Sequence, residues 1–266
     1  MKFADKLAEA ATKNNSLLCI GLDADTSKLP EDRSQFEFIK SIIDTTADLV
    51  CAYKPNTAFY EAEGALGVQE LKDICDYLQE YYPDIPIILD AKRGDIGNTN
   101  NGYAKFAFDY LQADAITLHP YLGGESLTSF IDHPDKQLFI MGRNSNPGAG
   151  EFQDLEIEQA PLYIKIIQNF TSSWDYNGNI SFVAGATYPD ELAEIRKIIG
   201  EDKPLLIPGI GAQGGEVEAT VKAGVNTDGN NAIISSSRGV IFAENPRQAA
   251  IDLRDEINKY RGESFE

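Results

Sequence analysis

Apolar residues in this chain fall in short continuous runs, and polar residues collect where those runs end. The runs predict eight β-strands, over 17–22, 49–54, 85–90, 115–119, 138–142, 180–185, 205–208 and 232–236. Continuous rather than alternating apolarity is expected of parallel strands buried on both faces. The gaps carry helical spacing. In 66–81, Leu66, Ile74, Leu78 and Tyr81 recur at helical intervals, and 189–199 and 246–260 each open on a proline suited to the first helical position. About eight strand–helix repeats in 266 residues predict a (β/α)₈ barrel, with a doubly wound open sheet as the alternative. No Pro/Gly/Ser-rich linker interrupts the series, so residues 1–266 are expected to form one domain. The longest irregular stretch, 143–155, follows the fifth strand and suits an active-site cover.

Chemically useful groups sit at nearly every strand end. They are Asp23 after the first, Lys54 after the second, Asp90-Ala91-Lys92 at the third and Ser145-Asn146-Pro147-Gly148 after the fifth. Gly209-Ile210-Gly211-Ala212-Gln213 follows the seventh strand and Ser237-Arg238-Gly239 the eighth. In a (β/α)₈ barrel these ends converge on one face, where active sites lie.

Composition narrows the partners. Hydrophobic content of 42% and charged content of 24% fit a globular chain with a full core. A net charge of −19 disfavours nucleic acid, and an anionic substrate would need a local positive island. Cys19, Cys51 and Cys75 lack paired spacing, which predicts a reducing compartment and a cytoplasmic location, and Cys19 and Cys51, in apolar runs, are expected to be core residues. The N-terminus reads as a charged amphipathic helix rather than a signal peptide, and no run is long enough to span a bilayer.

The third strand end, Asp90-Ala91-Lys92-Arg93-Gly94-Asp95, is the densest chemistry in the chain. In an extended strand, residues two apart point the same way, so Asp90 and Lys92 are expected to project together, with Asp95 in the loop beyond. Solvation of a loop is the plainer explanation. Lys54 would complete an alternating Lys54–Asp90–Lys92–Asp95 array, each pair worth about 4 kcal/mol at 4 Å and an effective dielectric near 20. Gly209-Ile210-Gly211-Ala212-Gln213-Gly214 has dinucleotide-fingerprint spacing, with Asp228 roughly twenty positions on. It lies after the seventh strand, where barrels hold phosphate, and Arg238 and Gln213 could add donors. A tight turn is the simpler role. His119 suits a structural or site-wall position, His133 a turn and Trp174 packing. No His/Glu spacing suggests a metal.

On these residues the chain resembles the orotidine 5′-phosphate decarboxylase family, in its longer bacterial branch. The resemblance rests on Gly21-Leu22-Asp23-Ala24-Asp25, Lys54-Pro55-Asn56-Thr57-Ala58-Phe59, residues 90–99, Ser145-Asn146-Pro147-Gly148-Ala149, Gly185-Ala186-Thr187-Tyr188-Pro189, residues 208–215 and Ser237-Arg238-Gly239. It implies a (β/α)₈ barrel that converts orotidine monophosphate to uridine monophosphate and carbon dioxide, in pyrimidine biosynthesis, without metal or cofactor. It also implies Lys92 as proton donor to the ring carbon and Asp90 beside the departing carboxyl group, with Lys54 and Asp95 completing the charges. Asp23, Lys54 and Thr99 would contact ribose hydroxyls, Ser145 the pyrimidine edge, and Gln213 and Arg238 the phosphate. It further implies a homodimer in which Asp95, Ile96 and Thr99 reach the neighbouring site. Gly97 departs from the pattern, since some branches carry proline there, and removes no functional group. Competing readings are a magnesium-dependent barrel enzyme acting on a sugar phosphate, a nucleotide-binding protein without catalysis, and a dinucleotide-dependent oxidoreductase.

Overall fold

The chain closes on itself as a barrel of parallel strands. The computed structural model describes residues 1–210 and 216–262. The strands are β1 (Leu18–Gly21), β2 (Ala52–Lys54), β3 (Ile88–Arg93), β4 (Ala115–Leu118), β5 (Gln137–Met141), β6 (Ile180–Val183), β7 (Leu205–Pro208) and β8 (Ala232–Ser236). Their order in the sheet is β2-β1-β8-β7-β6-β5-β4-β3, and every pairing is parallel. The two end strands meet through isolated bridges at Tyr53–Ile87 and Asn56–Asp90. There the Tyr53 N–H donates to the Pro86 carbonyl at 3.0 Å and the Asp90 N–H to the Pro55 carbonyl at 2.9 Å. Helices pack outside, so the strands are buried on both faces, which is why their sequences read as unbroken apolar runs. The open-sheet alternative is excluded by this closure.

Several boundaries move for identifiable reasons. The second strand begins at Ala52 because 47–49 coil into a 3₁₀ turn. The third begins at Ile88, since Pro86 has no N–H for a ladder, and runs on to Arg93. The helix Gly64–Tyr81 buries Leu71, Ile74, Cys75 and Leu78, whereas Leu66 and Tyr81, expected on its inner face, are exposed. Helices Pro189–Ile199 and Pro246–Tyr260 match their expected spans. The 143–155 stretch is more ordered than expected. It holds a 3₁₀ turn, Pro147–Ala149, and a short helix, Gly150–Gln153, and leads into a hairpin of Glu156–Ile157 with Ala160–Pro161. All three cysteines are buried and free.

One irregularity shapes the site. Leu89 of β3 pairs with Ile116 of β4, and the next register pair is Arg93 with Leu118, so Asp90, Ala91 and Lys92 face Thr117 alone. The strand bulges there, and Lys92 takes φ of +47°.

Candidate active site

A cavity of about 300 Å³ opens at the C-terminal ends of the strands, at the low end of the ~300–1,000 Å³ typical of small-molecule sites. Of the residues singled out in the sequence, Asp23, Lys54, Asp90, Lys92, Ser145 and Arg238 line it. Barrel closure thus gathers groups that lie up to 215 positions apart, Asp23 to Arg238. Asp95 and Thr99 do not line it, and Gln213 lies outside the described residues.

The floor is a charged triplet centred on Asp90. Lys92 Nζ donates to Asp90 Oδ1 at 2.6 Å, and Lys54 Nζ to Oδ2 at 3.1 Å. Asn56 Nδ2 adds a bond to Oδ2 at 3.3 Å, and the Thr117 hydroxyl one to Oδ1 at 2.9 Å. The side chains of Lys54 and Asp90 are 7% and 10% exposed, that of Lys92 40%. Burial pushes the Asp90 carboxyl up, but Lys54, Lys92 and the hydrogen bonds outweigh it and hold the group well below the usual carboxylate range. Burial likewise pulls the Lys54 ammonium down, and Asp90 and Asp23 more than restore it, above the ordinary lysine value. The expected pairing of Asp90 with Lys92 is present, but simple strand alternation does not produce it. It forms across the bulge, with Lys92 in a left-handed conformation.

The walls differ in character. Asp23 faces the cavity after β1, and its Oδ1 is buried without a hydrogen-bond partner among the described residues. Such an acceptor suits a ligand hydroxyl. Ser145 stands on the loop after β5, where that loop crosses Gly185. A Cβ on Gly185 would lie 2.6 Å from the Ser145 nitrogen and 2.7 Å from its Cα, so only glycine permits the approach. The far end is formed by Gly209 and Ile210 after β7, and by Ser236 at the end of β8 with Ser237 and Arg238 beyond it. Gly209 has φ of +108°, a conformation that a side chain disfavours. Arg238 is exposed and makes no ion pair among the described residues. Backbone amides near a forked cation form an anion-binding corner. Asp228 is not part of it. It sits in the turn leading into β8, at the opposite end of the barrel from Gly209, which removes the acidic partner of the dinucleotide reading.

Asp95 departs from the four-charge array. Its Oδ1 accepts from the Ile96 N–H at 2.7 Å, and its backbone is held by Asn100, with no ion pair to either lysine. Ile96 beside it is 63% exposed, and Thr99 is exposed as well. Within one chain the array therefore has three members, Lys54, Asp90 and Lys92. His119 stands outside the cavity lining. Burial and Lys92 hold its imidazole below the ordinary histidine value, and its backbone amide donates to the Arg93 carbonyl at 2.7 Å. His133 lies in a turn, and Trp174 is partly buried against the core and close to Gly124.

Three residues at the site have no role assigned from the sequence. Asn56 lies two positions past Lys54, a spacing that could have drawn notice. Thr117 is the one polar residue of β4. Arg143, after β5, is buried; its Nη2 donates to Asp154 Oδ2 at 3.0 Å, and its guanidinium lies 4.0 Å from the Tyr188 ring centroid. It ties the Ser145 loop to the barrel. Among the described residues no group of three or more His, Cys, Asp or Glu is placed to hold a metal ion, and no helix is long and apolar enough to cross a membrane.

The chain is similar to known proteins along nearly its whole length. Residues 16–253 match the model of the orotidine 5′-phosphate decarboxylase / HUMPS family. A Cellvibrio japonicus protein named orotidine 5′-phosphate decarboxylase is 47% identical over 275 residues, covering 98% of this chain and 100% of the relative. A Ralstonia pickettii protein of the same name is 44% identical with the same coverage. The solved Leishmania donovani OMP decarboxylase superposes with a TM-score of 0.88 at 39% identity, over 98% of this chain and 99% of that one.

Proposed function

This chain belongs to the orotidine 5′-phosphate decarboxylase / HUMPS family, and from that membership we propose that it decarboxylates orotidine 5′-monophosphate to uridine 5′-monophosphate without metal or cofactor, with Lys92 as the proton donor. It is an enzyme, a carboxy-lyase. The observation that carries the mechanism is Asp90 clamped between two ammonium groups, at 2.6 and 3.1 Å, on the floor of a cavity whose far end suits an anion.

Breaking the bond to the departing carboxyl group leaves its electron pair on a ring carbon with no adjacent electron sink. The barrier reduction required falls within the ~8–23 kcal/mol that enzymes supply. Lys92 stabilises the developing carbanion electrostatically, then transfers an ammonium proton to that carbon and regains a proton from solvent. Asp90 stays ionised and aims Lys92. Lys54, paired with Asp90, helps keep that carboxylate charged and has ammonium protons left for a ligand. Asp23 and Lys54 face the ribose, Ser145 the pyrimidine edge, and Arg238, with Gln213, the phosphate. Phosphate binding remote from the reacting carbon supplies energy for closing loops over the ring.

The full chain, 1–266, acts as one catalytic domain in the cytoplasm, and two copies share their sites. Asp95 and Thr99 lie outside their own chain's cavity, and Ile96 between them is exposed. That arrangement supports a homodimer in which these residues serve the neighbour. The decisive assay follows the ultraviolet loss of orotidine monophosphate in the presence of a chelator. Turnover should persist, and Lys92→Ala should abolish nearly all of it while nucleotide binding stays measurable. Lys92→Ala activity within tenfold of the parent would sink the proton-donor role, and loss of turnover on chelation would favour a magnesium-dependent reaction.

A further inference from the structure

We propose that Thr117 is a positioning residue whose hydroxyl holds open the bulge that presents Lys92 to the substrate. The inference rests on the reading that Asp90 and Lys92 work on the reacting carbon. Three residues of β3, Asp90, Ala91 and Lys92, face Thr117 alone on β4. In an unbroken parallel ladder the Lys92 N–H would find a backbone carbonyl of β4. Here it donates to Thr117 Oγ1 at 2.9 Å. The same oxygen lies 2.9 Å from Asp90 Oδ1.

The chemistry of the groups fixes which way these bonds run. Asp90 is ionised, so its oxygens only accept, and the single hydroxyl proton of Thr117 points at Asp90. The hydroxyl's lone pairs are then left for the Lys92 amide. One buried oxygen therefore ties the carboxylate that aims Lys92 to the backbone that carries it. This matters because Lys92 is held at φ of +47°, which non-glycine residues adopt only when their surroundings impose it. The Lys92 side chain is 40% exposed, so packing alone does not fix its direction. Thr117 is 1% exposed and lies between the fully buried Ile116 and Leu118. Valine would fill that space and suit the strand equally well, so the hydroxyl is what the position requires.

The test compares Thr117→Val, which keeps the shape and deletes the hydroxyl, with Thr117→Ser, which keeps the hydroxyl. In the full chain, Thr117→Val should lower kcat at least about tenfold while KM stays within about threefold, and Thr117→Ser should stay within about threefold of the parent in both. Equal impairment of the two variants would show that keeping the hydroxyl does not preserve function and would overturn the role, as would a Thr117→Val kcat within about twofold of the parent. Should the valine variant fail to fold, Thr117→Ala set against Thr117→Ser reads the same hydroxyl by the same criteria. A crystal structure of the valine or alanine variant provides a readout independent of substrate. Lys92 should leave the left-handed region and its ammonium should leave Asp90. Retention of both features overturns the inference whatever the activity. A parent enzyme inert toward orotidine monophosphate would count against the functional reading, and the crystal structure would still decide the role of Thr117.

Discussion

Lys54→Met deletes one charge from the floor of the site and keeps an apolar stem of similar length. In the parent, Lys54 Nζ lies 3.1 Å from Asp90, with both side chains no more than 10% exposed. At an effective dielectric of about 20, that separation corresponds to an attraction of about 5 kcal/mol. Removing one partner of a buried pair commonly costs ~3–5 kcal/mol, because the other charge remains buried. Asp90 keeps Lys92, Thr117 and Asn56, and the burial penalty of Lys54 itself disappears, so the expected loss is near the lower limit, about 3 kcal/mol. The pH dependence has a definite sign. The folded carboxyl of Asp90 is depressed, so it contributes stability above the unfolded aspartate value of about 3.9, and this is lost as pH falls toward the folded value. In the variant that carboxyl moves back up and contributes less. The gap between parent and variant should therefore be widest near neutrality and should narrow below about pH 4. It should also narrow above about pH 10.4, where the raised Lys54 ammonium stops favouring the folded parent. Urea unfolding of both chains at neutral and acid pH measures this directly. A neutral-pH loss under about 1 kcal/mol, or one unchanged in acid, would refute the electrostatic account of the floor.

The other expectations follow from the walls and the rim. Arg238→Ala should raise the Kd of uridine monophosphate far more than that of uridine, as isothermal titration can show; equal weakening of both would remove the phosphate role. Gly185→Ala should lower the melting temperature and raise KM, because its Cβ would meet the backbone of Ser145 at 2.6 Å, an overpacking that typically costs ~1–3 kcal/mol. A variant that melts with the parent and keeps its KM would contradict the stated contact. Lys92→Ala and Asp95→Ala should each be nearly inactive alone, and unfolding and refolding them together should restore activity, since a mixed dimer rebuilds one intact site. No gain over either variant would place Asp95 in its own chain's chemistry or outside it altogether.

What could be read from the sequence was whatever depends on local burial. Eight strands buried on both faces leave continuous apolar runs, and their polar ends mark the face that carries Asp23, Lys54, Asp90, Lys92, Ser145 and Arg238. Features that depend on a partner strand stayed hidden. The bulge at 90–92 is a matter of register between β3 and β4, and neither segment reveals it alone. Thr117 consequently read as one more residue of an apolar strand. Arg143 opens an irregular stretch and has no role assigned from it, since its burial depends on Asp154 and Tyr188, which lie farther along the sequence. Leu66 and Tyr81 fit a helical period, yet the helix turns its Leu71–Leu78 face inward and leaves both ends in solvent. The glycine spacing after β7 matched a dinucleotide motif because spacing alone does not say at which end of a strand the acidic residue lies.

The distribution of charge explains how a chain of net charge −19 can bind an anion. Among the described residues, the charged ones lining the cavity are Asp23, Lys54, Asp90, Lys92 and Arg238, three cations against two anions, a positive island in a negative molecule. The excess is not spread evenly. Lys54 and Asp90 are buried against one another and neutralise the floor, whereas Lys92 is partly exposed and Arg238 stands at the opposite rim without an ion pair among the described residues. On the proposed function, an incoming phosphate would meet a cation whose charge is uncommitted, while a group reaching the floor would meet Lys92, which is paired with Asp90. Binding and chemistry would then fall to different cations of one cavity, a division under which phosphate affinity could be strong without relaxing the position of the proposed proton donor. It also accounts for the burial of Lys54 and Asp90: an exposed pair would be screened and mobile, and it could not hold Lys92 at one place as the ring carbon gains charge.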